Sequence, residues 1–112
     1  MNDLHFDVVT LLDNMGNDNE TVNELMLMMQ EQLQTLPLEL YANIKKEDRK
    51  AIKLIAHQLK GSAYSMSLNA LGNLALQIEA GYELPLNELL DLELKLKQEI
   101  SYLLENVLNK PL

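Results

Sequence analysis

The residues best equipped for chemistry lie in one stretch of this 112-residue chain, IAHQLKGSAYSM, from Ile55 to Met66. His57 is followed one helical turn later by Lys60 and Gly61. On a wheel turning ~100° per residue, Ile52, Ile55, Leu59, Ser62, Ala63 and Met66 gather opposite His57. Lys50, Lys53, Lys60, Gly61 and Tyr64 gather on its own side, with Leu54 able to add apolar contact at the margin. The spacing therefore predicts a histidine turned away from the core.

A neutral imidazole with a pKa of about 6.5 is a competent nucleophile near pH 7. Attack on a phosphoryl group through one ring nitrogen would give a phosphohistidine whose labile P–N bond can pass the group onward. That chemistry needs an exposed ring, a cation for the phosphoryl oxygens, and a group orienting the second nitrogen. Three lysines on the face of His57 form a locally basic strip in an acidic chain, and Lys60 is near enough to neutralise an anion at the ring. Gly61 costs the helix about 1 kcal/mol relative to Ala and offers bare backbone for close approach. Singly, each feature has an ordinary explanation: a solvated histidine, a solvated lysine face, a packing glycine. Their common face is what points to a site.

The rest of the chain offers little other chemistry. There is no Walker loop, no glycine-rich nucleotide loop and no HExxH motif. With no cysteine there is neither a disulfide framework nor a thiolate metal site. His5 lies near the N-terminus without matching neighbours and reads as a bystander, so no metal site is expected. Seventeen acidic against nine basic residues give a formal charge of −8, which repels nucleic acid and anionic lipid. MNDLHFDVV has neither the basic nor the apolar region of a signal peptide, and no apolar run approaches a membrane span. A cytoplasmic, monomeric protein is expected.

The elements that must position His57 follow from a 3.6-residue period running through nearly every segment, in a chain 47% apolar and only 4% aromatic. A short helix is expected from Phe6 to about Met15, stopped at Gly16–Asn19. Asn19 is expected to cap a second helix with the seam Val22, Leu25, Met26, Met29, Leu33, Leu36, Leu40 and Ile44, kinked at Pro37 rather than split. After a charged turn, Asp48 caps a third helix over Arg49 to about Ser65. Ser67 or Asn69 starts a fourth, with Leu68, Leu71, Ala75 and Ile78 on one face and Gly81 at its end. Pro85 falls in the first turn of a fifth, running to about Asn109 with Leu89, Leu96, Ile100, Leu103 and Val107 inward. The fold class is all-α: an antiparallel up-down four-helix bundle with a short additional N-terminal helix, one domain over residues 1–112.

AHQLKGSA, Ala56 to Ala63, resembles the signature of histidine-containing phosphotransfer (HPt) domains, H-x-x-K-G followed by small residues. The layout of helices and the LGNLALQIE stretch, Leu71 to Glu79, are also similar to that family. The resemblance implies that His57 is the phosphoacceptor, through Nε2. It further implies that Lys60 stabilises the phosphoryl group, Gly61 gives clearance, and Glu79 hydrogen-bonds the other ring nitrogen. Lys50, Lys53, Leu54, Gly61 and Tyr64 would form the docking face. Ser67 departs from a position that is often Gly in the family, and Tyr64 is bulkier than many relatives show.

The implied role is a phosphorelay carrier between response-regulator receiver domains, fed from a hybrid sensor kinase, with no autonomous kinase activity. It would have no cofactor of its own, Mg2+ being supplied by the receiver. A chain opening on Met1 and closing on NKPL is expected to be a free protein rather than an excised domain. The alternatives are a non-catalytic helical module that binds receiver domains, or one that pairs with another helical partner.

Overall fold

Three aspartates start three of the helices. Asp7, Asp18 and Asp48 each accept a hydrogen bond from the backbone N–H three residues on, at Thr10, Thr21 and Ala51, over 3.1–3.2 Å. Such side-chain caps satisfy N–H groups that a helix start otherwise leaves unpaired. A computed structural model of the chain describes residues 4–112. Its helices are α1 (Val8–Asn14), α2 (Asn19–Lys46), α3 (Arg49–Ser65), α4 (Asn69–Ala80) and α5 (Leu86–Asn106).

The all-α class and the four-helix bundle with an extra short helix are as expected from the periodicity. The boundaries differ in small, explicable ways. Asp18, not Asn19, caps α2, because Thr21 supplies both its backbone N–H and its hydroxyl to the Asp18 carboxylate. Those bonds hold the Asp18 carboxyl below its ordinary range. Likewise α1 starts at Val8 rather than Phe6, since Asp7 is the cap. Pro85 stands at the N-cap of α5, one residue before its first turn, and α5 ends at Asn106 rather than Asn109.

Pro37 does not split α2, which runs unbroken for 28 residues. At 1.5 Å per residue that is about 42 Å, and the molecule is 42 Å along its longest axis. The α2 seam is buried as expected, except that Leu25 is only half-buried. Ile52, Ala56, Leu59 and Ala63 of α3, Leu71, Ala75 and Ile78 of α4, and Leu89, Leu96, Ile100 and Leu103 of α5 complete the core. Val107, just past α5, is half-buried. Glu93 is also buried on the inner side of α5, its carboxylate 3.5 Å from the ammonium of Lys97.

Each helix packs on the next, and α2 closes the ring against α5. The turns are short. At Glu47 the backbone is left-handed (φ 58°), and the N–H groups of Glu47 and Asp48 return to the carbonyls of Ile44 and Asn43. At the α3–α4 turn Ser67 is left-handed too (φ 57°), its N–H bonded to the Tyr64 carbonyl while that of Leu68 bonds to Ala63. Helix α4 has no side-chain cap. The N-terminal segment acts instead: the Leu4 carbonyl accepts from Ala70 N–H at 2.7 Å, and Asp7 N–H donates to the Ser67 carbonyl at 2.9 Å. At the α4–α5 turn, the Arg49 guanidinium donates to the carbonyls of Tyr82 (3.2 Å) and Leu84 (2.5 Å). Among the described residues, no helix is long and apolar enough to cross a membrane.

Candidate functional site

Helix α3 buries Ile52, Ala56, Leu59 and Ala63 against the bundle, which turns His57 outward with its side chain 66% exposed. Helix α4 packs beside α3 and brings Glu79 up to it. His57 Nδ1 lies 2.5 Å from Glu79 Oε2, and Lys60 Nζ lies 2.6 Å from Glu79 Oε1. One carboxylate thus holds both residues, with Glu79 15% and Lys60 23% exposed.

The electrostatics fix the direction of the first bond. The Lys60 ammonium, more than the His57 ring, holds the Glu79 carboxyl below the usual carboxylate range, against an opposing push from partial burial. An ionised carboxylate can only accept, so Nδ1 carries the proton and donates. In the neutral ring Nε2 is then the nitrogen with a free lone pair. Among the described residues nothing bonds to Nε2. The arrangement can support nucleophilic attack through Nε2, with a positive charge on the ring offset by Glu79.

The remaining expected residues divide into two groups. Lys50 is exposed, Leu54 is 61% exposed, and a Cβ at Gly61 would have no atom within 4 Å. These stand open around His57, as the wheel implied. Lys53 and Tyr64 are exposed as well, but each also contacts a neighbour. The Lys53 ammonium sits over the Tyr82 ring, 4.9 Å from its centroid. Tyr64 leans across to α4, where its hydroxyl donates to Asn73 Oδ1 at 2.6 Å. Lys60, expected to face an anion, is engaged by Glu79 in this structure.

Sequence reasoning placed Glu79 of α4 at the site but named none of the exposed residues of that helix. Asn73, Leu76, Gln77 and Ala80 are its exposed stripe, and their spacing of three and four was a usable signal. It also foresaw no partners for His5, whose Nδ1 lies 2.6 Å from Glu99 Oε2, with its ring 4.1 Å from that of Tyr102. Nothing local to MNDLHF could announce partners on α5.

Comparison with known proteins bears on the family and the fold. The sequence model of the Hpt domain matches residues 20–109. The fold superposes on the crystal structure of the HPT domain from the Hpt sensor hybrid histidine kinase of Shewanella with a TM-score of 0.80, at 18% sequence identity. That match covers 94% of this chain and 92% of the other. No curated protein matches the chain by sequence. The family match spans α2 through α5, with the His57–Glu79 pair inside it, and the chain belongs to the Hpt domain family.

Proposed function

We propose that this protein carries a phosphoryl group on His57 Nε2, taking it from an aspartyl phosphate on one receiver domain and delivering it to another. The observation that supports this most directly is the split use of the ring, with Nδ1 committed to Glu79 and Nε2 open. Family membership supports a histidine phosphotransfer role in a phosphorelay.

In the uptake step the Nε2 lone pair forms a bond to phosphorus, and the P–O bond to the donor aspartate breaks with its electron pair leaving on that carboxylate. The ring keeps its Nδ1 proton and becomes cationic, and Glu79 offsets the new charge at the atom where it develops. Lys60 is near enough to turn from Glu79 toward the phosphoryl oxygens. Delivery is the same step reversed onto a second aspartate. Mg2+ belongs to the receiver in this scheme, and a hybrid sensor kinase would supply the phosphoryl group upstream. The protein works as a monomer in the cytoplasm, with the bundle's apolar seams satisfied internally.

The test is to incubate the protein with a phosphorylated receiver domain and follow acid-labile, base-stable label. His57→Gln is expected to abolish labelling while changing stability by less than about 0.5 kcal/mol, as for an exposed residue. Label persisting in that variant would place the acceptor elsewhere. A wild-type protein that binds receivers without taking label would be the non-catalytic docking module instead.

A further inference from the structure

Along the outward stripe of α3, Gly61 and Tyr64 follow His57 at four and seven positions. At 1.5 Å per residue, Tyr64 stands about 10 Å along the axis from His57. In the phosphotransfer reading a partner reaching Nε2 would pass over the bare backbone at Gly61, and Tyr64 is the next exposed residue along the same stripe. Where the ring lies is decided by α4, not α3.

The ring rests on Gly72. A Cβ placed there would fall 2.4 Å from Cε1, 2.5 Å from Cδ1 and 2.9 Å from Cζ of Tyr64. Gly72 is buried inside α4 and has no left-handed φ, so its backbone conformation does not demand glycine. A mid-helix glycine weakens the helix relative to alanine. What it provides is a seat for the ring. Asn73, the next residue, takes the Tyr64 hydroxyl at 2.6 Å and fixes the far end.

We infer that Gly72 and Asn73 are positioning residues that hold Tyr64 down against α4, and that Tyr64 so held sets which receiver surfaces can cross Gly61 to His57. This inference rests on the phosphotransfer reading. With a Cβ at position 72 the ring must rise from its seat and leave Asn73. Tyr64 is already exposed at the surface, so the displaced ring moves out over the solvent-facing stripe on which Gly61 leaves open space.

The test separates the reactivity of His57 from access by a protein. Each variant is first charged with phosphoramidate, whose P–N bond breaks and releases ammonia as the bond from phosphorus to Nε2 forms. Transfer is then timed to a receiver domain, chosen from a panel as the fastest acceptor from the wild-type protein. Gly72→Ala is expected to take label from phosphoramidate within about twofold of wild type and to transfer about tenfold more slowly, the loss typical of a disturbed contact residue. Adding Tyr64→Ala to Gly72→Ala removes the displaced ring, and the double variant is expected to match Tyr64→Ala alone.

Asn73→Ala, at an exposed position, is expected to slow transfer about threefold, the share of one hydrogen bond. It carries the test if Gly72→Ala does not fold. Transfer from Gly72→Ala at the wild-type rate would overturn the inference. So would a folded double variant clearly slower than Tyr64→Ala alone, since the added methyl would then be acting through helix packing. Wild-type protein that takes no label, or passes it to no receiver, refutes the phosphotransfer reading and this inference with it. Label and transfer in wild type with unaffected variants refute the inference alone.

Discussion

His57 and Glu79 meet across the seam between α3 and α4, Nδ1 to Oε2 at 2.5 Å, and that contact decides which ring nitrogen is left for chemistry. The two residues are 22 positions apart. The same carboxylate also takes the Lys60 ammonium, so His57 and Lys60 share one anchor.

Glu79→Gln keeps the shape of that anchor and removes its charge. A neutral acceptor makes a bond roughly half as strong as an ionised one, so phosphoramidate labelling of His57 is expected to slow about tenfold without being lost. The variant also bears on pH. Glu79 is held below its ordinary range, chiefly by Lys60. A lowered carboxyl stabilises the fold above its unfolded value, near pH 4.3, and that contribution fades as pH falls through the lower folded value. Wild type is therefore expected to melt above Glu79→Gln at neutral pH, with the gap closing below about pH 4. Thermal melts across a pH series check this, and a gap that widens in acid would contradict it.

Lys60→Ala is expected to leave the bundle folded, since a partly exposed ion pair contributes at most about 1 kcal/mol. Phosphoryl transfer should nevertheless slow by about a hundredfold or more, as when one charge-stabilising donor is withdrawn from a reacting group. Rapid-quench transfer kinetics beside a circular dichroism melt would separate the two effects. Loss of the melt transition would mean that Lys60 is structural.

Gly61 has room around it that Gly72 lacks. Gly61→Ala should raise stability by about 0.5–1 kcal/mol, because its methyl meets nothing within 4 Å. Gly61→Arg should label normally with phosphoramidate and fail to exchange phosphoryl with a receiver domain. Denaturant titration tests the first statement and receiver-dependent transfer the second. Normal transfer by Gly61→Arg would show that partners do not pass over this backbone.

Ser67 sits in the left-handed region at φ 57°, in the turn that joins the two helices of the site. A non-glycine residue there costs about 1 kcal/mol. Ser67→Gly should recover part of that cost and raise the melting temperature, with labelling of His57 unchanged. A lower melting temperature would mean that the buried serine side chain is a needed packing element.

The helices themselves were legible in the chain because their causes are local. Capping by Asp48, the stop at Gly16 and Asn17, and the seams of α2 to α5 all depend on residues within a few positions of one another. His57 and Gly61 could be turned outward by the same local rule, since a helix that buries Ile52, Ala56, Leu59 and Ala63 leaves the opposite stripe to solvent. Where prediction slipped by a residue, as at the start of α2, the competing caps Asp18 and Asn19 were adjacent and both able to accept from the helix N–H groups.

What the sequence by itself determined, then, is an all-helical chain with an outward histidine, lysine and glycine on one stripe. The tertiary structure decided the partners of that stripe. No period within α3 states that Tyr64 lies on Gly72 or that the Leu4 carbonyl serves as the missing cap of α4, and the bond from Glu79 to the ring was legible only through the resemblance to HPt domains. Nor does anything near Glu93 or His5 foretell burial of the one or pairing of the other with Glu99. Each of these depends on how far one helix is rotated and shifted against its neighbour. That is set by packing the whole core at once, and side chains from separate helices meet only after it is done.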